Sequence, residues 1–131
     1  MVFVDMYTPN VVIRELAREL GEEVFPLVTE AQRAVSLRNL SEEYLSSARE
    51  GATGDGGGLL ESLLEDLAVR GLGNPVRSAL VGGEWEVEVD NPFNPHLLAG
   101  HLQAIFQFAE GRKPQVLLEE AGPSAVKYRL A

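Results

Sequence analysis

The sequence predicts an α+β domain: N-terminal helices packed on a mainly antiparallel sheet of about four strands, with a β-β-α-β-β C-terminal half. Three observations carry that expectation. Apolar residues recur at helical spacing from Ile13 to Leu67. Two stretches of alternating polarity, Val76–Asp90 and Gln115–Leu130, each break at a Gly- or Pro-bearing turn. Between them, Pro95–Glu110 is one capped helical pattern.

Taken in order, Thr8-Pro9 reads as a cap followed by proline at the first helical position. Ile13, Leu16, Ala17 and Leu20 then form a stripe that Gly21 ends. Pro26 predicts a kink or a restart before a second piece over 27–38, with the stripe Val28, Ala31 and Val35. A third piece spans 41–50, with Tyr44, Leu45 and Ala48 inward. Residues 51–58 are rich in glycine and predict a flexible linker, because no strand precedes them and no Gly-Lys-Ser/Thr follows. Leu59–Arg70 is a helix with Leu60, Leu63, Leu64 and Leu67 on one face, closed by Gly71. The chain therefore reads as a single domain over 1–131: helical cover to 50, linker over 51–58, then a helix and β-β-α-β-β over 59–131.

Gly82-Gly83 can take the positive φ angles of a tight hairpin turn. That turn sets Leu80 opposite Trp85, Ser78 opposite Val87 and Val76 opposite Val89 on a buried face. Arg77–Glu88 and Ala79–Glu86 then pair on a wet one. The second hairpin, through Ala121-Gly-Pro-Ser124, is expected to set Leu117 opposite Tyr128 and Glu119 opposite Val126.

The 131 residues include 20 acidic and 11 basic ones, for a net charge of −9. A surface of that sign repels phosphate backbones and anionic headgroups, so no nucleic acid or membrane partner is expected. The opening MVFVDMYTP lacks the pattern of a signal peptide, and the absence of Cys rules out disulfides, thiolate metal sites and thiol nucleophiles. These features predict a cytoplasmic protein. Neither a cofactor nor a metal is expected, and no residues are assigned as catalytic: there is no Gly-x-Ser-x-Gly, and each carboxylate that can be placed sits on a wet face.

The helix over 95–110 concentrates the functional question. Asn94 caps it and Gly111 stops it. His96, Gly100, Gln103, Gln107 and Glu110 share one narrow polar stripe, while apolar residues cover most of the remaining circumference. One sheet face cannot bury so wide a surface, so the N-terminal helices, a partner subunit or a ligand must cover the other side. His101 interrupts the apolar surface between Ile105 and Phe108. It reads either as a hydrogen-bonded core residue or as one reaching into a pocket. His96 lies about 140° away round the helix, so the two do not chelate. Gly100, unfavourable inside a helix, suggests a close approach there.

From Leu63 to Leu130 the chain resembles the 4-vinyl reductase domain family, whose relatives include TRAPP-type trafficking subunits. The group comprises ligand-binding domains of nitric-oxide signalling and Golgi transport. The residues that carry the resemblance are Gly71-Leu-Gly73, Val87-Glu-Val-Asp-Asn91, Leu97-Leu-Ala-Gly100 and Val116-Leu-Leu-Glu-Glu120. Many members carry cysteines that this chain lacks. The resemblance implies an apolar cavity between the 95–110 helix and the N-terminal helices, with Trp85, His101, Phe106, Phe108 and Tyr128 as its candidate lining, and a homodimer. The leading expectation is a module that binds an apolar or aromatic small molecule. A protein-interaction or structural domain is the alternative, and an enzyme of unidentified class ranks third.

Overall fold

Gly21 closes the first helix. In the computed structural model, which describes residues 7–45 and 56–131, α1 (Tyr7–Leu20) stops where Gly21 turns to φ 86° and its amide donates to the Ala17 carbonyl at 2.8 Å. α2 (Val24–Leu45) then runs unbroken for 22 residues, against the expected break at Pro26 and the expected separate pieces. Pro26 falls in the first turn, where a helix has no use for its missing N–H. Further along, Leu40 is only 7% exposed, so continuing the helix past Arg38 keeps a core residue buried. The side chains of Thr8, Tyr44, Leu45 and Ala48, and residues 51–55, lie outside the part described. α3 (Gly56–Val69) takes in the last three glycines of that stretch and buries Leu60, Leu63, Leu64 and Leu67 as the spacing predicts.

The first hairpin joins β1 (Asn74–Val81) to β2 (Glu84–Asp90) through Gly82 and Gly83, both at positive φ. Leu80–Trp85, Ser78–Val87, Arg77–Glu88 and Ala79–Glu86 pair as expected. Val76 does not oppose Val89. A bulge between Pro75 and Arg77 puts Pro75 there instead and leaves Val76 55% exposed. Proline has no N–H to give the ladder, and β1 is an edge strand, where such an irregularity is tolerated.

α4 (Pro95–Glu110) begins and ends where the sequence predicts. The Asn94 side-chain oxygen accepts from the amides of His96 and Leu97 at 3.0 and 3.1 Å. Its amide nitrogen donates to Asn10 on α1 at 2.7 Å, and Asn10 in turn donates to the Phe93 carbonyl. At the other end Gly111 adopts φ 79° and its amide donates to the Gln107 carbonyl.

The chain finishes with β3 (Val116–Glu120) and β4 (Ala125–Leu130), and the sheet order is β1-β2-β4-β3 with every neighbour antiparallel. The second hairpin is offset by one residue from expectation: Leu118, not Leu117, opposes Tyr128, and Glu120 opposes Val126. The Ala121 amide still donates to the Ala125 carbonyl at 3.0 Å, so the loop proper is Gly122-Pro123-Ser124. A shift of one residue exchanges the faces of a strand. Leu117 is accordingly 63% exposed, while Leu118 packs against the core.

One face of the sheet, with Trp85, Val87, Val89, Tyr128 and Leu130 buried, packs on α4. The other carries a solvated ladder in which Glu86 pairs with Lys127 at 2.8 Å and Glu119 with Arg129 at 3.5 Å. α2 lies across the far side of α4, α3 flanks α4 and covers β1, and α1 packs on α2. The wide apolar surface of α4 is thus covered by the sheet on one side and helices on the other. Among the described residues, no helix is long and apolar enough to cross a membrane.

Two substitutions test this arrangement. A Cβ at position 100 would collide with the Thr29 carbonyl oxygen and sit 2.9 Å from the Arg33 amide. Gly100→Ala should therefore lose about 1–3 kcal/mol by urea denaturation, despite the better helix propensity of alanine. An unchanged or raised midpoint would refute the close crossing. Leu118→Lys should destabilise clearly while Leu117→Lys stays within about 0.5 kcal/mol; the reverse ranking would restore the register expected from sequence.

Candidate functional site

The contact between α2 and α4 is polar at its edges and backbone-close at its centre. Gly100 lets the helices meet. Around it, the Thr29 hydroxyl donates to the His96 carbonyl at 2.8 Å, and the Arg33 guanidinium donates to the Gln107 side-chain oxygen at 2.8 Å. Ser36 Oγ and His101 Nδ1 are hydrogen-bonded at 2.8 Å, and Gln32 Nε2 donates to the same hydroxyl at 2.9 Å. His96, Gly100 and Gln107 of the polar stripe therefore meet α2, while Gln103 donates to the Pro114 carbonyl and Glu110 faces solvent.

His101 stands where two spaces meet. On one side is an apolar groove of about 630 Å³. Val12 and Ile13 of α1 and Val28, Ala31 and Val35 of α2 form its flanks, and Phe93 and Leu97 form its floor. Val12 and Val35 are 50% and 48% exposed, so the groove opens to solvent. On the other side is a smaller cavity of about 150 Å³ between α2, α3 and α4. Ser36, Asn39, Asp66 and Arg70 give it a polar lining, backed by Leu40, Leu63 and Ile105. Gln32, Leu72 and His101 border both spaces. With Nδ1 held by Ser36, Nε2 is the remaining hydrogen-bonding atom of the ring and has no partner among the described residues.

Burial pushes the His101 imidazolium down to about 4; the nearby Arg70 charge acts in the same direction, and Asp66 opposes them. At neutral pH the ring is an uncharged hydrogen-bonding group. The Ser36–His101 distance would suit a nucleophile and its base, but the chemistry does not follow. Ser36 is 4% exposed within α2, and no carboxylate hydrogen-bonds the ring among the described residues. An imidazole that protonates near 4 is a weak base far from neutral operating pH. Nor do the described residues gather three His, Asp or Glu side chains about a metal position.

The other candidate residues are distributed round α4. Trp85, Phe106 and Tyr128 are each no more than 2% exposed and lie in the core between α4 and the sheet. The Trp85 and Phe106 rings stack with centroids 6.4 Å apart, and the Arg112 guanidinium sits 4.9 Å over Phe106. The Tyr128 hydroxyl donates to the Pro95 carbonyl at 3.0 Å, and burial pushes its pKa up. Phe108 is half-buried two turns beyond His101. Of the five, His101 borders the groove. His96 lies on the opposite flank of the crossing, stacked on Phe25 at 4.0 Å, so the two histidines do not converge.

Sequence reasoning missed Gln32 and Ser36. Their signal was a polar pair at i and i+4 beside the stripe Val28, Ala31 and Val35, and only a partner helix gives that pair a meaning.

No family model matches the chain, and no curated protein matches its sequence. Solved structures do share its fold. The phenol-responsive sensory domain of the transcription activator PoxR, solved with phenol, aligns at TM-score 0.68 and 15% identity, covering 99% of this chain and 76% of that one. An H-NOX protein from S. oneidensis in the Fe(II)NO ligation state aligns at TM-score 0.54 and 12% identity, covering 92% and 71%. At these identities the likeness is one of fold.

The depressed His101 pKa has a measurable consequence. Between about pH 6.5 and 4 the unfolded chain takes up a proton that the native ring refuses. Stability is thus fully present above about pH 6.5 and falls towards pH 4, by up to about 3 kcal/mol. Urea titrations across this range should show the fall, and His101→Gln should remove most of it. His96, also lowered by burial, supplies part of what remains. An identical slope in the variant would mean that the native ring is hydrated.

Proposed function

We propose that the protein is a small-molecule-binding module, with an apolar or aromatic ligand held in the α1–α2 groove against His101. The observation that carries this reading is the placement of an uncharged imidazole, with one hydrogen-bonding atom unclaimed, beside Gln32 in a groove whose other lining residues are apolar. Apolar walls with a few placed polar groups are the usual make-up of a ligand site. The fold likeness to a phenol-responsive sensory domain supports the same reading, and so does the resemblance of Leu63–Leu130 to the 4-vinyl reductase domain family. A sensory role follows from the same support. In this reading His101 touches the ligand, Phe108 continues its stripe, and Trp85, Phe106 and Tyr128 fix α4 from the sheet side.

A second reading has its own observation. Leu20 and Leu27 are 64% and 69% exposed on α1 and α2, the two helices that flank the groove. Such a surface suits protein interaction, including a homodimer.

Val28→Trp separates the two. The added ring should fill the groove and weaken binding of the fluorescent apolar probe 1-aminoanthracene by at least roughly tenfold, a loss of about 1.4 kcal/mol, with the fold intact by circular dichroism. Equal probe binding by the folded variant would remove the groove as the site. Native mass spectrometry showing a dimer with no retained molecule, together with no probe binding, would favour the interaction domain.

A further inference from the structure

The two spaces beside His101 differ in size and chemistry, and the difference describes a ligand. The smaller space, about 150 Å³ and polar-lined, is no larger than a cavity that holds one benzene ring. The groove, at about 630 Å³, is far larger and falls within the range of about 300–1,000 Å³ that holds drug-sized molecules. Its described walls are apolar until Gln32 and His101 at the inner end. There the Gln32 side-chain oxygen can accept a hydrogen bond, its nitrogen being committed to Ser36, and His101 Nε2 offers a second uncharged contact.

The smaller cavity behind this wall bears on the charge of the head. Its charged side chains among the described residues are Asp66 and Arg70, and they pair with each other at 2.6 Å. A carboxylate or ammonium brought to the Gln32–His101 wall would lose hydration and find only uncharged groups, because Asp66 and Arg70 are half-exposed and paired with each other. A hydroxyl or amide would lose little and could be met by the wall.

Resting on the binding reading above, we infer that the ligand is an uncharged amphiphile. Its apolar body, larger than a single ring, lies along the groove, and its hydroxyl- or amide-type head meets the Gln32–His101 wall. Metabolites and membrane-derived lipids such as monoacylglycerols share this chemistry.

Calorimetric titration of the full chain with phenol, 4-butylphenol and 4-octylphenol tests the body. Affinity should rise about fourfold per methylene until the groove is filled, and Val28→Trp should abolish that gain. The head is tested with 4-octylbenzoate, which should bind at least roughly tenfold more weakly than 4-octylphenol at neutral pH. Extraction of monooleoylglycerol from phosphatidylcholine vesicles would assign a lipid source, and 4-octylphenol binding without such extraction would assign a free one. Affinity independent of chain length, equal binding of the benzoate, or no binding across the series overturns the inference. If Val28→Trp still weakens the fluorescent probe, the binding reading survives that failure. If the substitution changes no titration at all, both fall.

Discussion

The close crossing of α2 and α4 at Gly100 is the constraint on which the rest of the structure depends. Without a side chain at that point, the helix backbones approach within contact of each other, and the longer side chains on either side come into hydrogen-bonding range. The Ser36–His101 contact is one product of that approach. Tight helix contact stores no flexibility of its own; it fixes the wall between the two spaces while α1 and α3 close their outer sides. The cost of glycine inside α4, about 1 kcal/mol relative to alanine, is offset by the packing and hydrogen bonds that the crossing permits.

The local rules were legible in the sequence wherever they were strong. Asn94-Pro95 and Gly111 bounded α4 correctly, and Gly82-Gly83 set four pairs of the first hairpin. Where two local signals competed, tertiary burial decided. Leu40 carried α2 through a stretch that reads as a boundary, and a three-residue loop placed Leu118 rather than Leu117 inward. Pro75 moved the bulge that sequence alternation could not reveal. The candidate site was legible in part: His101 stood out as the polar residue on an apolar face, and Gly100 as a marker of close approach. Gln32 and Ser36 did not, because their role arises only when α2 is laid across α4. Nor could the side of α4 occupied by each aromatic be read without knowing that both sides are covered.

The same two-sided burial divides the labour of α4. Its sheet side holds the large aromatics, where Trp85, Phe106 and Tyr128 contribute area and rigidity. Its helix side places Gly100 and the neutral ring of His101 among Leu97 and Ile105, facing α2 and the two spaces beside it. The chain's net charge of −9 then contrasts with a candidate site that presents almost no unbalanced charge. On the proposed binding reading, long-range electrostatics would do little to draw an uncharged molecule in, and shape and desolvation would decide what stays.

The bulge at Val76 has a meaning beyond register. A four-stranded open sheet exposes two borders, and each border is a row of backbone donors and acceptors able to recruit a strand from another molecule. Here one border is broken by Pro75 and the bulge that follows it, and the other, β3, extends over only five residues. Neither offers a long regular template. The irregularity that spoils the alternation of β1 therefore also guards the molecule against growing, edge to edge, into an aggregate.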